Sequence, residues 1–339
     1  MLAAILGLSG PILTEAERRL FAAADPAGYI LFARNIVDKD QLRALTDALR
    51  GLSGRADLPI LVDQEGGRVA RLRPPVWQAF PAAARFGTLY EVAPISALAA
   101  ARANGEAIAI TLREVGINVA CAPVLDLAHE GAHDIIGDRA FGADPMRVAA
   151  LGGAMLDGLA AGGVCGVIKH LPGHGRARAD SHSELPVVEA TAEDLAADLA
   201  PFRALRHAPM AMIGHLLFPV WDADRPASVS PAIVGDIVRR AIGYDGLLLS
   251  DDIAMSALTG TPGERTRAVL AAGCDLALHC SGEIAEGEAV AEAAGEIPPG
   301  ARARLDRAMA SVAGGRSGGA LRALTAKRDA LLAYAPADS

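Results

Sequence analysis

Ile60-Leu61-Val62-Asp63-Gln64-Glu65-Gly66-Gly67-Arg68-Val69-Ala70-Arg71 is the stretch that decides the fold. A short apolar run, too brief for a helix, stops abruptly at acids, paired glycines and arginines. The run reads as a strand covered on both faces, and the charges as what stands at its C-terminal end. This pattern recurs along the chain. Apolar runs lie at Leu2–Leu8, Tyr29–Phe32, Ile60–Val62, Ile117–Ala122, Gly166–Ile168, Met210–Ile213, Gly246–Leu249 and Leu276–Leu278.

Longer Ala-rich amphipathic segments separate the runs. Thr14…Glu17 and Asp38…Gln41 have capping-box spacing. Asp144-Pro145, Ser230-Pro231 and Thr261-Pro262 pair an N-cap residue with proline at the first helical position, where its missing N–H costs nothing. Repeated strand–helix units over 339 residues predict an α/β fold, a (β/α)8 TIM-type barrel, with residues 1–339 as a single domain. The stretch from about residue 299 reads as a last helix with a loose tail. A doubly wound open sheet is the alternative, but no G-x-G-x-x-G follows the first run.

Composition narrows the function. Hydrophobic residues make up 52% and aromatics 4%, which points to an aliphatic core. A formal charge of -8 without a Lys/Arg cluster argues against non-specific nucleic-acid binding. Met1–Gly10 is apolar but lacks a basic flank, so it reads as a first core strand and not as a signal peptide. No run approaches the roughly 18 apolar residues of a membrane span. Cys121, Cys165, Cys274 and Cys280 sit in apolar runs without C-x-x-C spacing and read as buried free thiols. The expectation is a soluble cytoplasmic protein.

In a barrel the chemistry gathers where strands end. Asp63 to Arg71 follow one run, and Asp126 and Gly137-Asp138-Arg139 follow another. Lys169-His170-Leu171-Pro172-Gly173-His174-Gly175 follows the fifth and leads to Asp180-Ser181-His182. His215 follows the sixth, and Ser250-Asp251-Asp252 the seventh. Singly, each has a plainer reading: Asp251-Asp252 as a helix cap, Gly66-Gly67 as a turn, Arg139 as a loop ion pair, His215 as a hydrogen-bonded structural histidine. Their coincidence at one mouth favours a site. A metal-dependent barrel hydrolase would carry an H-x-H pair at the first strand end, where Gly7-Leu8-Ser9 stands instead.

KHLPGHG followed by DSH, together with DQEGGRVARL, APVLDL and LLLSDDIAM, resembles the bacterial family 3 glycoside hydrolases. Among these it is most similar to the short NagZ-type β-N-acetylglucosaminidases of peptidoglycan recycling. The resemblance runs from ILFARN near residue 30 to AGCDLAL near 278. It implies that Asp251 is the nucleophile and His182 the general acid/base, assisted by Asp180. It places sugar-hydroxyl binding on Asp63, Arg71, Arg139, Lys169 and His170. It further implies no metal and no cofactor, with terminal β-linked GlcNAc on 1,6-anhydro-MurNAc, with or without peptide, as substrate. The partner is thus a small-molecule muropeptide, with no nucleic acid and no membrane, and the chain is expected to be a monomer. Leu171 replaces the family's commoner phenylalanine, which is expected to loosen the loop's packing, and Gly214 replaces an alanine.

Chemically, an aspartate suits attack on an anomeric carbon, and a histidine titrates near neutrality and can pass a proton either way. The glycines and proline of the His182 loop suggest a segment that swings, so the site is expected to be complete only when the loop closes over Asp251. Rival readings are a phosphorylase on the same fold, a β-glucosidase, and a sugar-binding protein without catalysis. The last would have little reason to keep Asp251 and Asp180-Ser181-His182 together.

Overall fold

The computed structural model describes residues 1–181, 184–315 and 318–336. Among these, eight parallel strands close into a barrel in chain order. They are β1 (Leu2–Gly7), β2 (Pro26–Leu31), β3 (Ile60–Val62), β4 (Val119–Ala120), β5 (Cys165–Leu171), β6 (Met210–Ile213), β7 (Leu247–Asp252) and β8 (Leu276–His279). β8 returns to β1 with Leu278 opposite Ile5. The fold is a single-domain (β/α)8 TIM-type barrel, and every expected apolar run contributes a strand.

The runs look continuous because their two faces meet two different cores. Ala3, Ile5, Leu61, Val119, Val167, Met212 and Leu249 fill the barrel's interior. The alternating residues Ala4, Leu6, Ile60, Val62, Ala120, Ile168, Ala211 and Leu248 pack outward under the helices. Both faces are therefore apolar at a period of two.

Around the barrel lie α1 (Glu15–Ala24), α2 (Lys39–Ser53), α3 (Ala83–Val92), α4 (Pro94–Glu114), α5 (Pro145–Ala161), α6 (Ala192–Ala204), a π-helical segment Ile233–Ile242, α7 (Pro262–Ala272) and α8 (Ile284–Ala294). Thr14 and Glu17 form a reciprocal capping box, as do Thr261 and Glu264. Asp38 and Asp144 cap their helices, and Ser230 Oγ accepts from the Ile233 N–H. At Asp38 only half of the box forms, because Gln41 Oε1 accepts from the Val37 N–H instead.

Beyond residue 298 the chain is more ordered than its composition suggested. Two helices follow, α9 (Pro299–Ala310) and α10 (Leu321–Leu332). In α9, Ala301, Leu305, Ala308 and Met309 join the interior core, so this helix closes the end of the barrel opposite the charged mouth. Their spacing forms one apolar stripe that abundant alanine and arginine obscure. α10 lies against α4, where buried Arg328 donates to Asn104 at 3.0 Å and its guanidinium stands over the Phe80 ring. All four cysteines are buried and free. Among the described residues no helix is long and apolar enough to cross a membrane.

Candidate active site

β3 delivers Asp63 directly to the mouth and continues into a small antiparallel hairpin, Gln64–Gly66 with Val69–Ala70. A Cβ on Gly66 would lie 2.2 Å from the Pro81 carbonyl oxygen, and Gly66 has φ +105°. Only glycine satisfies both demands. Gln64 locks the turn, its side-chain Oε1 accepting from the Arg71 and Leu72 N–H groups. The tightness of this hairpin sets Asp63, Glu65 and Arg71 around one point.

That point is Lys169. Register between β5 and β6 shifts between Ile168 and Leu171, so Lys169 and His170, adjacent in sequence, both line the mouth. Lys169 Nζ reaches Asp63 Oδ1 at 3.0 Å and Glu65 Oε1 at 2.8 Å. Arg71 donates to Asp63 Oδ2 at 2.9 Å, and Arg139 grips Glu65 with two bonds of 2.8 and 2.9 Å. Three cations thus face two carboxylates. Burial alone would push the Asp63 carboxyl up, but Lys169 and Arg71 hold it far below the usual range. Glu65 is held down likewise by Lys169 and Arg139, and Lys169 is pushed above its ordinary value by both acids against its burial. The shifts of Asp63, Glu65 and Lys169 all favour their charged forms. Arg71 keeps a buried Nε without a partner among the described residues, a donor left over for a ligand oxygen.

Asp251 and Asp252 end β7 at the same cavity. Burial disfavours the ionised form of Asp251. His170, His215, the Asp252 N–H at 2.8 Å and Lys169 outweigh it and keep the carboxyl below its ordinary value. Asp252 shifts the other way, because burial and the adjacent Asp251 charge outweigh the Ala254 and Cys280 N–H groups that its Oδ1 accepts. The pair therefore offers one carboxylate poised to stay ionised beside one that resists ionisation.

Histidines support this floor. His215 is fully buried, and burial lowers its pKa. Its Nε2 lies 3.0 Å from the Asp252 carbonyl oxygen, which can only accept, so Nε2 carries the proton and Nδ1 accepts from Ser228 Oγ at 2.7 Å. The reading of His215 as a structural histidine fits this geometry. His174 is likewise buried and pulled down to about 4 by desolvation and by His170.

Asp63, Arg71, Arg139, Lys169, His170 and Asp251 all line one cavity of about 310 Å³. Glu65, Arg68, His174, Ser181 and Asp252 line it too. They fall inside the quoted motifs, so the signal that could have found them was position within a motif and not residue type. Asp180 is half-exposed on the loop and is not among the lining residues. His182 lies outside the described residues, but its neighbour Ser181 lines the cavity, with its carbonyl accepting from the Ala257 N–H at 3.3 Å. Leu171 is the last residue of β5 and is fully buried in the outer core.

A barrel mouth with Asp251 at a strand end, faced by a clamp of charged side chains in one cavity, is an arrangement suited to glycoside hydrolysis. Residues 9–313 match the glycosyl hydrolase family 3 N terminal domain, and the chain belongs to that family. It is 41% identical over 308 residues to a beta-hexosaminidase of Thiobacillus denitrificans, covering 89% of this chain and 85% of that one. It is 40% identical over 282 residues to a beta-hexosaminidase of Bordetella avium, covering 82% and 80%. In structure it is similar to NagZ from Neisseria gonorrhoeae in complex with N-trifluoroacetyl-D-glucosamine, with a TM-score of 0.86, 32% identity and 98% of each chain covered. The protein is a family 3 glycoside hydrolase of the β-hexosaminidase type.

Proposed function

We propose that this protein is a retaining exo-β-N-acetylglucosaminidase that releases terminal β-linked GlcNAc from 1,6-anhydro-MurNAc, with or without peptide. In this reading it acts as a cytoplasmic monomer in cell-wall recycling, with residues 1–339 as one working unit. The observation that carries the reading is Asp251, held ionised at the floor of a sugar-sized cavity whose wall includes the residue preceding His182.

The chemistry follows from the charges. Asp251 attacks the anomeric carbon, and its negative charge stabilises the oxocarbenium-like transition state as the covalent glycosyl-enzyme forms. His182, assisted by Asp180, protonates the departing oxygen and then takes a proton from water, so configuration is retained. Asp63, Arg71, Arg139, Lys169 and His170 hold the sugar's polar groups. Because their ion pairs are already formed, little reorganisation remains when the sugar arrives, and hydroxyl contacts convert into orientation at the reacting carbon. The raised Asp252 carboxyl leaves Asp251 as the better nucleophile of the pair.

The GlcNAc–anhydroMurNAc disaccharide tests the reading, with free GlcNAc as the readout. GlcNAc 1-phosphate appearing only when phosphate is added would mark a phosphorylase, and preference for a glucoside would mark a glucosidase. A slow fluorinated glycoside should add its mass to the peptide bearing Asp251; labelling of Asp252 would move the nucleophile by one residue. His182→Ala should slow glycosylation far more for poor leaving groups than for activated aryl glycosides. Equal losses in both would remove the acid role.

A further inference from the structure

Asp126, which follows β4, lies outside every role given above. It is 1% exposed, and its carboxylate is the hub of the β5 exit. Oδ2 lies 2.7 Å from His170 Nδ1, and Oδ1 accepts from the His174 N–H at 2.7 Å and the His170 N–H at 3.2 Å. Despite burial, His170, His174 and these bonds keep its carboxyl below the ordinary range. An ionised carboxylate only accepts, so His170 Nδ1 must carry a proton, which leaves Nε2 as the ring nitrogen free to serve the cavity.

We infer that Asp126 is a positioning residue that acts through His170, holding its ring at the cavity it shares with Asp251, so that His170 is an electrostatic partner of the nucleophile as well as a sugar ligand. The inference rests on Asp251 being the nucleophile. Among the groups that favour the ionised form of Asp251 are His170 and, next to it in β5, Lys169, and both line the same cavity as Asp251; His215 stands beyond β6. From the loop after β5, His174 also faces Asp251, and Cys121 after β4 and Cys280 after β8 lie near it. Asp252 stands beside it on β7, and Asp63 and Glu65 share the cavity from the β3 side. Burial pushes both thiols up and His174 down, so each of these three favours its uncharged form. Asp126 itself faces Arg139 in addition to the two histidines.

The test is a double-mutant cycle on the full chain with an activated aryl N-acetylglucosaminide, read as kcat/KM against pH. Asp126→Asn should lower kcat/KM about ten- to a hundredfold, the range for losing one charge-assisted hydrogen bond. It should also move the acidic limb to higher pH, because Asp251 loses part of what keeps it ionised. His170→Gln should move that limb in the same direction, and adding Asp126→Asn to it should cost less than about threefold more. If Asp126 merely secured the loop root, activity would fall with the limb unmoved and the two losses would multiply; either result overturns the proposal. Should Asp126→Asn fail to fold, His170→Gln alone decides, since an unmoved limb there is fatal. Failure of the underlying reading would show separately, as a covalent adduct on a residue other than Asp251 in the unaltered protein.

Discussion

The two ends of this barrel are made from the same strands and solved in opposite ways. At the N-terminal end, Leu305, Ala308 and Met309 of α9 close the interior with apolar side chains. At the C-terminal end, Lys169, Asp63, Glu65, Arg71 and Arg139 crowd charges around an open cavity. The bottom gains stability from every contact. The top contributes a geometry that stability alone would not select, because well-packed apolar groups replace buried ion pairs at no loss in many proteins. Function is therefore concentrated where the packing is least economical.

The largest effect should come from removing the reacting group at the top. Asp251→Ala is expected to lower kcat by roughly 10³-fold or more while the thermal melt changes little, measured with an aryl N-acetylglucosaminide. Next comes Lys169→Met, which strands two buried acids. Breaking such a cluster costs about 3–5 kcal/mol, and urea unfolding should register a loss of this order together with a raised KM. At the opposite end, Leu305→Ala should cost about 2–5 kcal/mol through the cavity it leaves, with kcat/KM unchanged at temperatures where the variant is folded. Loss of turnover there would show that the two ends are not separable.

A smaller contrast lies in acid. Asp63 and Glu65 are depressed, so their stabilisation is present above the unfolded carboxylate range near pH 4 and disappears only as pH falls below it. His174 behaves oppositely, because its folded value of about 4 lies beneath the unfolded value near 6.5. Stability should therefore begin to decline as pH drops from about 6.5 towards 4, before the carboxylates contribute. His174→Asn should make that early decline shallower, leaving the share of His215, and equilibrium unfolding across this pH window would show it. An unchanged profile would mean that His174 is not buried as a neutral ring.

The sequence was readable wherever neighbours along the chain impose the structure. β3 with its glycine hairpin, the caps at Thr14 and Thr261, and the clustering of Asp63, Lys169 and Asp251 at one rim all follow from local patterns. α9 was legible as a helix, but its role as the barrel's plug was not, because its apolar stripe has meaning only against a barrel interior that chain order does not display. Glu65 and Asp126 were visible as acids after strands, yet nothing local distinguishes a solvated carboxylate from one gripped by Arg139 or by His170.

By itself, then, the sequence determined the alternation of strands and helices, the turn at Gly66 and Gly67, and which residue types stand at the mouth, because these depend on side-chain period, glycine's freedom and strand ends. Only the tertiary structure decided which charges pair, which of Asp251 and Asp252 stays ionised, and what closes the other end. Those outcomes depend on burial and on partners as far apart in the chain as Asp63 and Lys169, whose interaction exists only once the barrel has closed.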